Sequence, residues 1–141
     1  MLTSKCTHPP PQLRLKAWDA VALGTMAQWD GEAWLDINKL VALKALMAPR
    51  LDAAAAKGCD AVEPDNTDCF TNPDECGVSG SGQAKKAAQL AYNRWTAEYA
   101  HGKGMLCALK NTGDLAVELA TVHDFAIVEQ CSQYNECDVY G

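Results

Sequence analysis

Apolar and polar positions follow one another in blocks whose spacing predicts helices. The clearest helix covers residues 83–101, where alanines and aromatic residues recur at spacings of three and four and form one apolar face. Residues 40–57 have a helical pattern too. Proline fits best in a first turn, so Pro49 predicts a break there and a second helix from Arg50. Gly58 ends this stretch, because glycine adopts the left-handed backbone conformation without strain.

Short apolar runs between the helical stretches are typical of buried strands. These runs cover 33–37, 59–63, 105–109 and 125–128. A shorter helical stretch, 114–121, separates the last two runs. Strands that alternate with helices in this way predict an α/β fold with a parallel sheet. Residues 18–29 carry mixed signals and receive no assignment.

The pattern divides the chain into a short lead-in and one domain. Residues 1–17, with three prolines at 9–11, are predicted to be irregular or extended, and residues 18–141 form the domain. Residues 67–82 are rich in Asn, Pro, Asp, Gly and Ser and predict a loop. Loops of this length inside a compact domain are often functional.

Polar side chains stand at or directly after the end of each predicted strand. They are Asp36 at the first strand; Glu63, Asp65 and Asn66 at the second; Lys110 and Asn111 at the third; and Glu129 and Gln130 at the fourth. Right-handed crossovers bring these ends to one face of the sheet, where α/β folds place their chemistry. A face lined by acids, amides and one lysine suits a sugar. The sequence contains no glycine-rich dinucleotide motif and no phosphate-binding loop, so we expect no cofactor.

Composition narrows the class of partner. The chain has 141 residues, a net charge of −6 and a pI near 4.9, which is enough for one domain with a core. Nucleic acids and anionic membranes both prefer basic surfaces, so we expect neither as a partner. No apolar run is long enough to predict a membrane span. A neutral or cationic substrate fits this charge better.

The seven cysteines predict disulfides more strongly than a metal site. No Cys-x-x-Cys pair occurs and the three histidines are scattered, so we expect no zinc site. We predict the disulfides Cys69–Cys76 and Cys131–Cys137, because each closes a short loop that has few apolar residues to hold it. Cys59 and Cys107 lie within predicted strands and are expected to be buried thiols.

Disulfides suggest an extracellular or secreted protein. The first 18 residues lack the apolar segment of a signal peptide. We therefore expect that a part of the protein precedes this chain.

Several sequence blocks in a fixed order resemble glycoside hydrolase family 114. The blocks are WDGEAWLDI (29–37), RLD (50–52), KGCDAVEPDN (57–66), YN (92–93), AH (100–101), LKN (109–111), DFA (124–126) and EQC (129–131). The resemblance covers about residues 18–138. Such enzymes are TIM barrels of the endo-α-1,4-polygalactosaminidase or α-galactosidase type. The resemblance thus implies a partial (β/α)8 barrel of about four consecutive β-α units, the third to the sixth, with the other four absent.

The resemblance also assigns roles to the strand-end residues. It makes Asp65 the nucleophile and Glu129 the acid/base of a two-carboxylate glycosidase. Glu63 has the same strand parity as Asp65, one layer deeper, and we expect it to form a structural ion pair with Lys110. The other candidates bind substrate hydroxyl or amine groups or serve as scaffold, and they are Asp36, Asn66, Lys110, Asn111 and, by stacking on a sugar face, Trp34 and Trp29. Core packing is expected for at least one of the two tryptophans.

Two hypotheses of different class remain open. The first is a glycoside hydrolase that acts on α-linked galactose- or galactosamine-containing oligo- or polysaccharides. The second is a catalytically inactive barrel fragment, or a sugar-binding remnant that keeps the acids without half of the barrel. The family pattern favours the first hypothesis, and the length of the chain favours the second.

Overall fold

The computed structural model of the chain describes residues 16–26 and 30–140. The predicted lead-in, 1–17, lies outside this part except for its last two residues, which begin helix α1 (Lys16–Asp19). Helices and strands alternate through most of the remaining chain, so the structure has a mixed α/β fold.

Three of the four predicted strands form a parallel sheet. They are β3 (Ala61–Val62), β4 (Leu106–Lys110) and β5 (Phe125–Ile127), in the order β3-β4-β5. Both pairs in this sheet are parallel. The central position of β4 places its last residue, Lys110, between the carboxyl ends of the two outer strands.

The first predicted strand lies in a different sheet, which corrects the expectation of four parallel strands. Strand β2 (Ala33–Leu35) pairs antiparallel with β1 (Ala22–Thr25). In the connection between the two strands, Gly31 has a φ of 82°, a backbone conformation that glycine adopts without strain. The residues that the structure describes form no closed barrel.

The remaining helices are α2 (Leu40–Ala56), α3 (Pro73–Cys76), α4 (Gly82–Gly102), α5 (Ala116–Leu119) and α6 (Cys131–Tyr134). The predicted break at Pro49 is wrong, because α2 runs through it. Pro49 is exposed, whereas Leu43 and Leu51 on either side of it are buried. Packing of both halves on the core thus holds one helix across a residue that cannot donate a hydrogen bond. The predicted 67–82 loop contains α3 and a 3₁₀ turn at Cys69–Thr71.

The two long helices end in the same way and lead directly into parallel strands. Gly58 and Gly104 have φ values of 76° and 77°. After α2, Gly58 N–H donates to Ala55 O and Cys59 N–H to Ala54 O. After α4, Gly104 N–H and Met105 N–H make the equivalent bonds. This double hydrogen bond is the Schellman motif, and it directs the chain into β3 and β4 at fixed angles.

Helix α4 is the packing centre of the fold. Ser81 caps its first turn by accepting a hydrogen bond from Ala84 N–H. Its buried alanines, Ala97 and Ala100, lie against Met105 and Cys107 of the sheet segment. Small residues on this face let the helix approach the sheet closely. Further cores contain Leu109 with Leu115 and Leu119, and Val21 with Leu43 and Tyr92.

The structure contains both predicted disulfides, Cys69–Cys76 and Cys131–Cys137. Cys107 is a buried free thiol, as expected, and burial raises its pKa to about 12. Cys59 is buried but forms a disulfide, so its prediction as a thiol is wrong. An apolar run predicts burial, which is correct for Cys59, but it does not distinguish a buried thiol from a buried disulfide.

None of the helices in the described residues is both long and apolar enough to cross a bilayer.

Candidate active site

Lys110 lies at the centre of a cluster of carboxylates at the carboxyl ends of the parallel strands. Its Nζ atom is 3.3 Å from Glu63 Oε1, 3.1 Å from Asp65 Oδ1 and 3.2 Å from Glu129 Oε1. The three acids come from the exits of β3 and β5, on either side of β4. Parallel pairing therefore brings together residues that are far apart in sequence, as the crossover rule predicts.

The Lys110 side chain is buried and its acidic partners are much more exposed. Its relative exposure is 6%, against 26% for Glu63, 60% for Asp65 and 64% for Glu129. Burial lowers the pKa of Lys110, but hydrogen bonds to Asp65, Glu129 and Glu63 outweigh it and raise the pKa above its usual range. Lys110 thus remains an ammonium at any physiological pH, and its Nζ atom contacts three carboxylates.

Two bonds between Asn111 and Glu129 fix the position of the Glu129 carboxylate. Asn111 Nδ2 donates to Glu129 Oε2 at 3.2 Å, and Asn111 Oδ1 accepts from Glu129 N–H at 2.8 Å. Asn111 N–H also donates to Ile127 O, which extends the β4–β5 pairing by one step. With Lys110 on Oε1, both oxygens of Glu129 have a donor.

A residue with positive φ directly follows each of three site residues. Asn66 follows Asp65 with a φ of 52°, Asn111 follows Lys110 with 50°, and Gln130 follows Glu129 with 60°. Non-glycine residues adopt this conformation rarely, although asparagine does so more readily than most. The left-handed residue turns the backbone at the strand exit; at Asp65 it brings Asn66 N–H to Asp65 Oδ1 at 3.0 Å.

The candidate catalytic acids, Asp65 and Glu129, face solvent close to each other. Their oxygens lie 3.1 Å and 3.2 Å from the same Nζ atom, so about 6.3 Å, the sum of these distances, is the largest separation these two oxygens can have. With Glu63, three carboxylates share one ammonium. Ionised, the cluster has an excess of negative charge that suits a cationic ligand.

Not every predicted site residue reaches this cluster. Asp36 instead accepts from Asn38 N–H and lies 3.6 Å from Lys39 Nζ, in the turn before α2. Trp34 is 5% exposed and packs with Met26 and Ile37, which favours the core role expected for at least one tryptophan. Trp29 lies outside the described residues.

A cleft of about 870 Å³ adjoins the cluster. Glu63, Asp65 and Asn66 contribute to its wall, together with Trp34 and Tyr92. The cleft is large enough for a small saccharide, since ligand pockets commonly span a few hundred to a thousand cubic ångströms. Glu63, Asp65 and Asn66 are thereby the site residues with direct access to it, and Glu63 is the least exposed of the three.

Sequence analysis missed a second, buried row of polar residues behind the cluster. Thr67 and Thr112 lie two positions beyond Asp65 and Lys110, and their hydroxyls are 3.3 Å apart. Asn93 on α4 donates to Thr67 O at 3.0 Å. The sequence contains one indication of this contact. Thr67 and Thr112 each stand two positions after a site residue, so on an extended segment they face the same side as Asp65 and Lys110.

Among the residues described, no group of histidine, cysteine or acidic side chains is arranged to hold a metal ion. The carboxylates that could have done so surround Lys110.

Comparison with known proteins places these residues in a family. The model of "Glycoside-hydrolase family GH114" matches residues 12–141. No curated protein matches the chain. Among solved structures, the chain is similar to the crystal structure of Aspergillus fumigatus Ega3 in complex with galactosamine, with 34% identity and a TM-score of 0.76. The match covers 86% of this chain and 46% of that one, so this chain spans less than half of the Ega3 structure. On the match of the family model to most of its length, this chain belongs to glycoside hydrolase family GH114.

Proposed function

We propose that this chain carries the two catalytic acids of a glycoside hydrolase that cleaves α-linked galactosamine-containing saccharides. Asp65 is the nucleophile and Glu129 is the acid/base. The observation that carries the proposal is the convergence of these two exposed carboxylates on the buried Lys110 ammonium, within a GH114 chain. The proposed activity is that of the whole enzyme, because the match to this chain covers 46% of the Ega3 chain.

The reaction has two steps. In the first, Asp65 Oδ attacks the anomeric carbon while Glu129 gives its proton to the glycosidic oxygen, so the C–O bond breaks and a glycosyl–Asp65 ester forms. In the second, Glu129 removes a proton from a water, which attacks the anomeric carbon and releases Asp65 as a carboxylate. Configuration at the anomeric carbon is retained, because it is inverted twice.

The spacing of the acids supports retention. Retaining glycosidases hold their carboxyl groups about 5 to 5.5 Å apart, and inverting enzymes need about 6.5 to 9.5 Å to admit a water. The two oxygens bound to Lys110, Asp65 Oδ1 and Glu129 Oε1, are at most about 6.3 Å apart, a limit that accommodates the retaining distance.

The charge of the cluster supports an amino sugar as the substrate. Three carboxylates and one ammonium leave excess negative charge, which attracts a protonated amine more than a neutral hydroxyl. The solved Ega3 structure is a complex with galactosamine. These two observations favour the endo-α-1,4-polygalactosaminidase type over the α-galactosidase type.

The other residues of the site have supporting roles in this proposal. Glu63 helps to keep Lys110 in place, and Asn111 holds the Glu129 carboxylate. Asn66 borders the cleft beside Asp65 and is the best placed of the candidates to bind a sugar hydroxyl or amine. Asp36 and Trp34 act as scaffold, in the turn before α2 and in the core.

The disulfides Cys69–Cys76 and Cys131–Cys137, with the further disulfide of Cys59, suit an oxidising compartment. We therefore propose that the enzyme acts outside the cell, where polymeric saccharides are accessible.

The test is hydrolysis of α-1,4-linked galactosamine oligosaccharides, with galactose oligosaccharides as the neutral comparison. We expect faster cleavage of the amino sugar substrate, and NMR of the first products should show the α anomer. First products in the β configuration would contradict retention. Specific binding of the oligosaccharide without hydrolysis would instead favour the sugar-binding remnant.

Removal of Asp65 gives a second, chemical test. In Asp65→Ala, a small nucleophile such as azide can enter the space of the missing carboxylate. We expect azide to restore cleavage of an activated α-galactosaminide and to yield a β-glycosyl azide. Glu98→Gln, an exposed acid on α4, is the charge-matched control and should behave as the wild type does. If azide fails to restore cleavage in Asp65→Ala but restores it when another acid of the site is replaced by alanine, that other acid is the nucleophile.

A further inference from the structure

A bridge between two buried threonine hydroxyls lies directly behind the carboxylate cluster. Thr67 and Thr112 are 7% and 1% exposed, and their Oγ1 atoms are 3.3 Å apart. Each lies two residues beyond a site residue, Asp65 on one segment and Lys110 on the other. The Asp65–Lys110 contact and the Thr67–Thr112 contact therefore join the same two segments, with the same offset of 45 residues.

The direction of the hydrogen bonds in this bridge follows from the number of donors. Thr112 Oγ1 donates to Lys110 O at 2.7 Å. A hydroxyl has one proton to donate, so Thr112 must accept in the contact with Thr67. Thr67 O–H thus donates to Thr112, which donates to the backbone of Lys110.

Helix α4 anchors the other end of the bridge. Asn93 Nδ2 donates to Thr67 O at 3.0 Å, and Gln89 Nε2 donates to Asn93 Oδ1 at 2.9 Å. Asn93 and Gln89 are 2% and 1% exposed. The chain of bonds consequently runs through buried side chains from helix α4 to the backbone of Lys110.

Backbone pairing does not reach the Asp65–Lys110 contact. The β3–β4 ladder ends at Val62 and Cys107, and Pro64 in the following segment has no N–H to donate. Among the described residues, the backbone of residues 63–65 forms no hydrogen bond to the backbone of β4. The threonine bridge supplies a connection on the far side of Asp65, so the ladder and the bridge together hold the segment at both ends.

We propose that Thr67, Thr112 and Asn93 are positioning residues, which set the place of the Asp65 carboxylate relative to the Lys110 ammonium and hence to Glu129. None of the three is a catalytic residue. Thr112 acts through the backbone carbonyl of Lys110, Thr67 acts through Thr112, and Asn93 acts through the backbone of Thr67. The kinetic part of this inference rests on the proposed function.

The test compares Thr112→Val with Thr112→Ser in the complete protein. Valine keeps the shape of threonine and removes both bonds, whereas serine keeps the hydroxyl. We expect kcat in Thr112→Val to fall about ten- to hundredfold with KM within about threefold, as for a small displacement of a reacting group. Thr112→Ser should restore most of the activity. Thr96→Val is the matched control, because Thr96 is equally buried and its hydroxyl bonds only Tyr92 O of its own helix.

A second readout does not require activity. A lysine ammonium gives an NMR signal from its ¹H–¹⁵N pairs only where hydrogen bonds and burial slow its exchange with water. We expect this signal for Lys110 in the wild type, Thr112→Ser and Thr96→Val, and its loss in Thr112→Val. If the wild type hydrolyses no galactosamine oligosaccharide, the proposed function fails and this signal alone decides the inference. An unchanged Lys110 signal in Thr112→Val would overturn the inference. A Thr112→Val protein that, like Thr96→Val, loses thermal stability but keeps its activity and its Lys110 signal would overturn it too.

Discussion

Asn111 and Glu129 hold each other through two hydrogen bonds that run in opposite directions. The Asn111 side chain accepts from the backbone of Glu129 and donates to its carboxylate. The backbone N–H can only donate, so the oxygen and nitrogen of this amide have one consistent assignment. The φ of 50° at Asn111 brings the amide into this place. One left-handed residue at a strand end thus aligns a carboxylate on the neighbouring strand.

Asn111→Asp tests whether this contact controls the acid/base. The new carboxylate still accepts the hydrogen bond from Glu129 N–H, but it places a second negative charge beside the Glu129 carboxylate. Glu129 already shares the Lys110 ammonium with Asp65 and Glu63. We expect the alkaline limb of the pH profile of kcat/KM to move up by about one unit. Asn111→Leu loses both bonds, so its rate should fall without this shift.

Asn135→Asp is the control for Asn111→Asp. Asn135 also has a positive φ, of 58°, and is exposed near the end of α6. The two variants therefore add the same charge to the same backbone conformation. Identical pH profiles for both variants and the wild type would show that Asn111 has no effect on the acid/base.

The site was predictable from the sequence where its signals are local. The strand runs at 59–63, 105–109 and 125–128 and the glycine stop at Gly58 depend on neighbouring residues, and the handedness of crossovers then brings the strand ends together. These rules place Glu63, Asp65, Lys110 and Glu129 at one face of the sheet. Of the three contacts with Lys110, the sequence predicted only that of Glu63.

The rest of the structure depends on contacts that spacing does not reveal. Strand β2 pairs with β1, in a segment whose pattern is mixed, so its exclusion from the parallel sheet could not be read from its own apolar run. The Thr67–Thr112 bridge joins residues 45 positions apart. The role of Asn111 depends on the sign of one φ angle. Pro49 lies within α2 because tertiary packing outweighs its local preference.

The disulfides Cys69–Cys76 and Cys131–Cys137 should differ in their contribution to stability. Their loops are similar, with sequence separations of 7 and 6, so loop closure stabilises each by about 2 kcal/mol. Cys69 and Cys76 are buried in a core with Trp34, whereas Cys131 is only partly buried. Urea unfolding should show a larger loss for Cys69→Ala/Cys76→Ala than for Cys131→Ala/Cys137→Ala. An equal or reversed order would contradict the structure.

Asp124 should make stability depend on acid pH. Cys107 N–H and His101 Nε2 each lie 2.8 Å from Asp124 Oδ2, and the Cys107 bond, with His101 second, lowers the pKa of Asp124 below its ordinary 3.8. A lowered folded-state pKa stabilises the protein above the unfolded value, and this contribution is lost as pH falls through the folded value. The difference in unfolding free energy between the wild type and Asp124→Asn should have its full size at pH 6 and decrease below about pH 4. Asp138→Asn, an exposed acid, is the control, and a difference that does not change with pH would refute this role.

Glu63→Gln should reduce stability more than Asp65→Asn does. Both acids contact Lys110, but the Glu63 side chain is 26% exposed and the Asp65 side chain 60%, so water replaces the lost charge less well at Glu63. Two carboxylates remain beside the ammonium, which limits the expected loss to about 1 kcal/mol. Thermal or urea unfolding of both variants measures it. A larger loss for Asp65→Asn would reverse the roles assigned to these acids.

The initial rate of cleavage of an α-1,4-linked galactosamine oligosaccharide tests most directly whether Asp65 and Glu129 are the catalytic acids. Asp65→Asn and Glu129→Gln each keep the size of the side chain and remove one step of the reaction. We predict a fall of about a thousandfold or more for each variant, with circular dichroism and the thermal transition preserved and Glu98→Gln at the wild-type rate. A rate within tenfold of the wild type for either Asp65→Asn or Glu129→Gln would contradict the account.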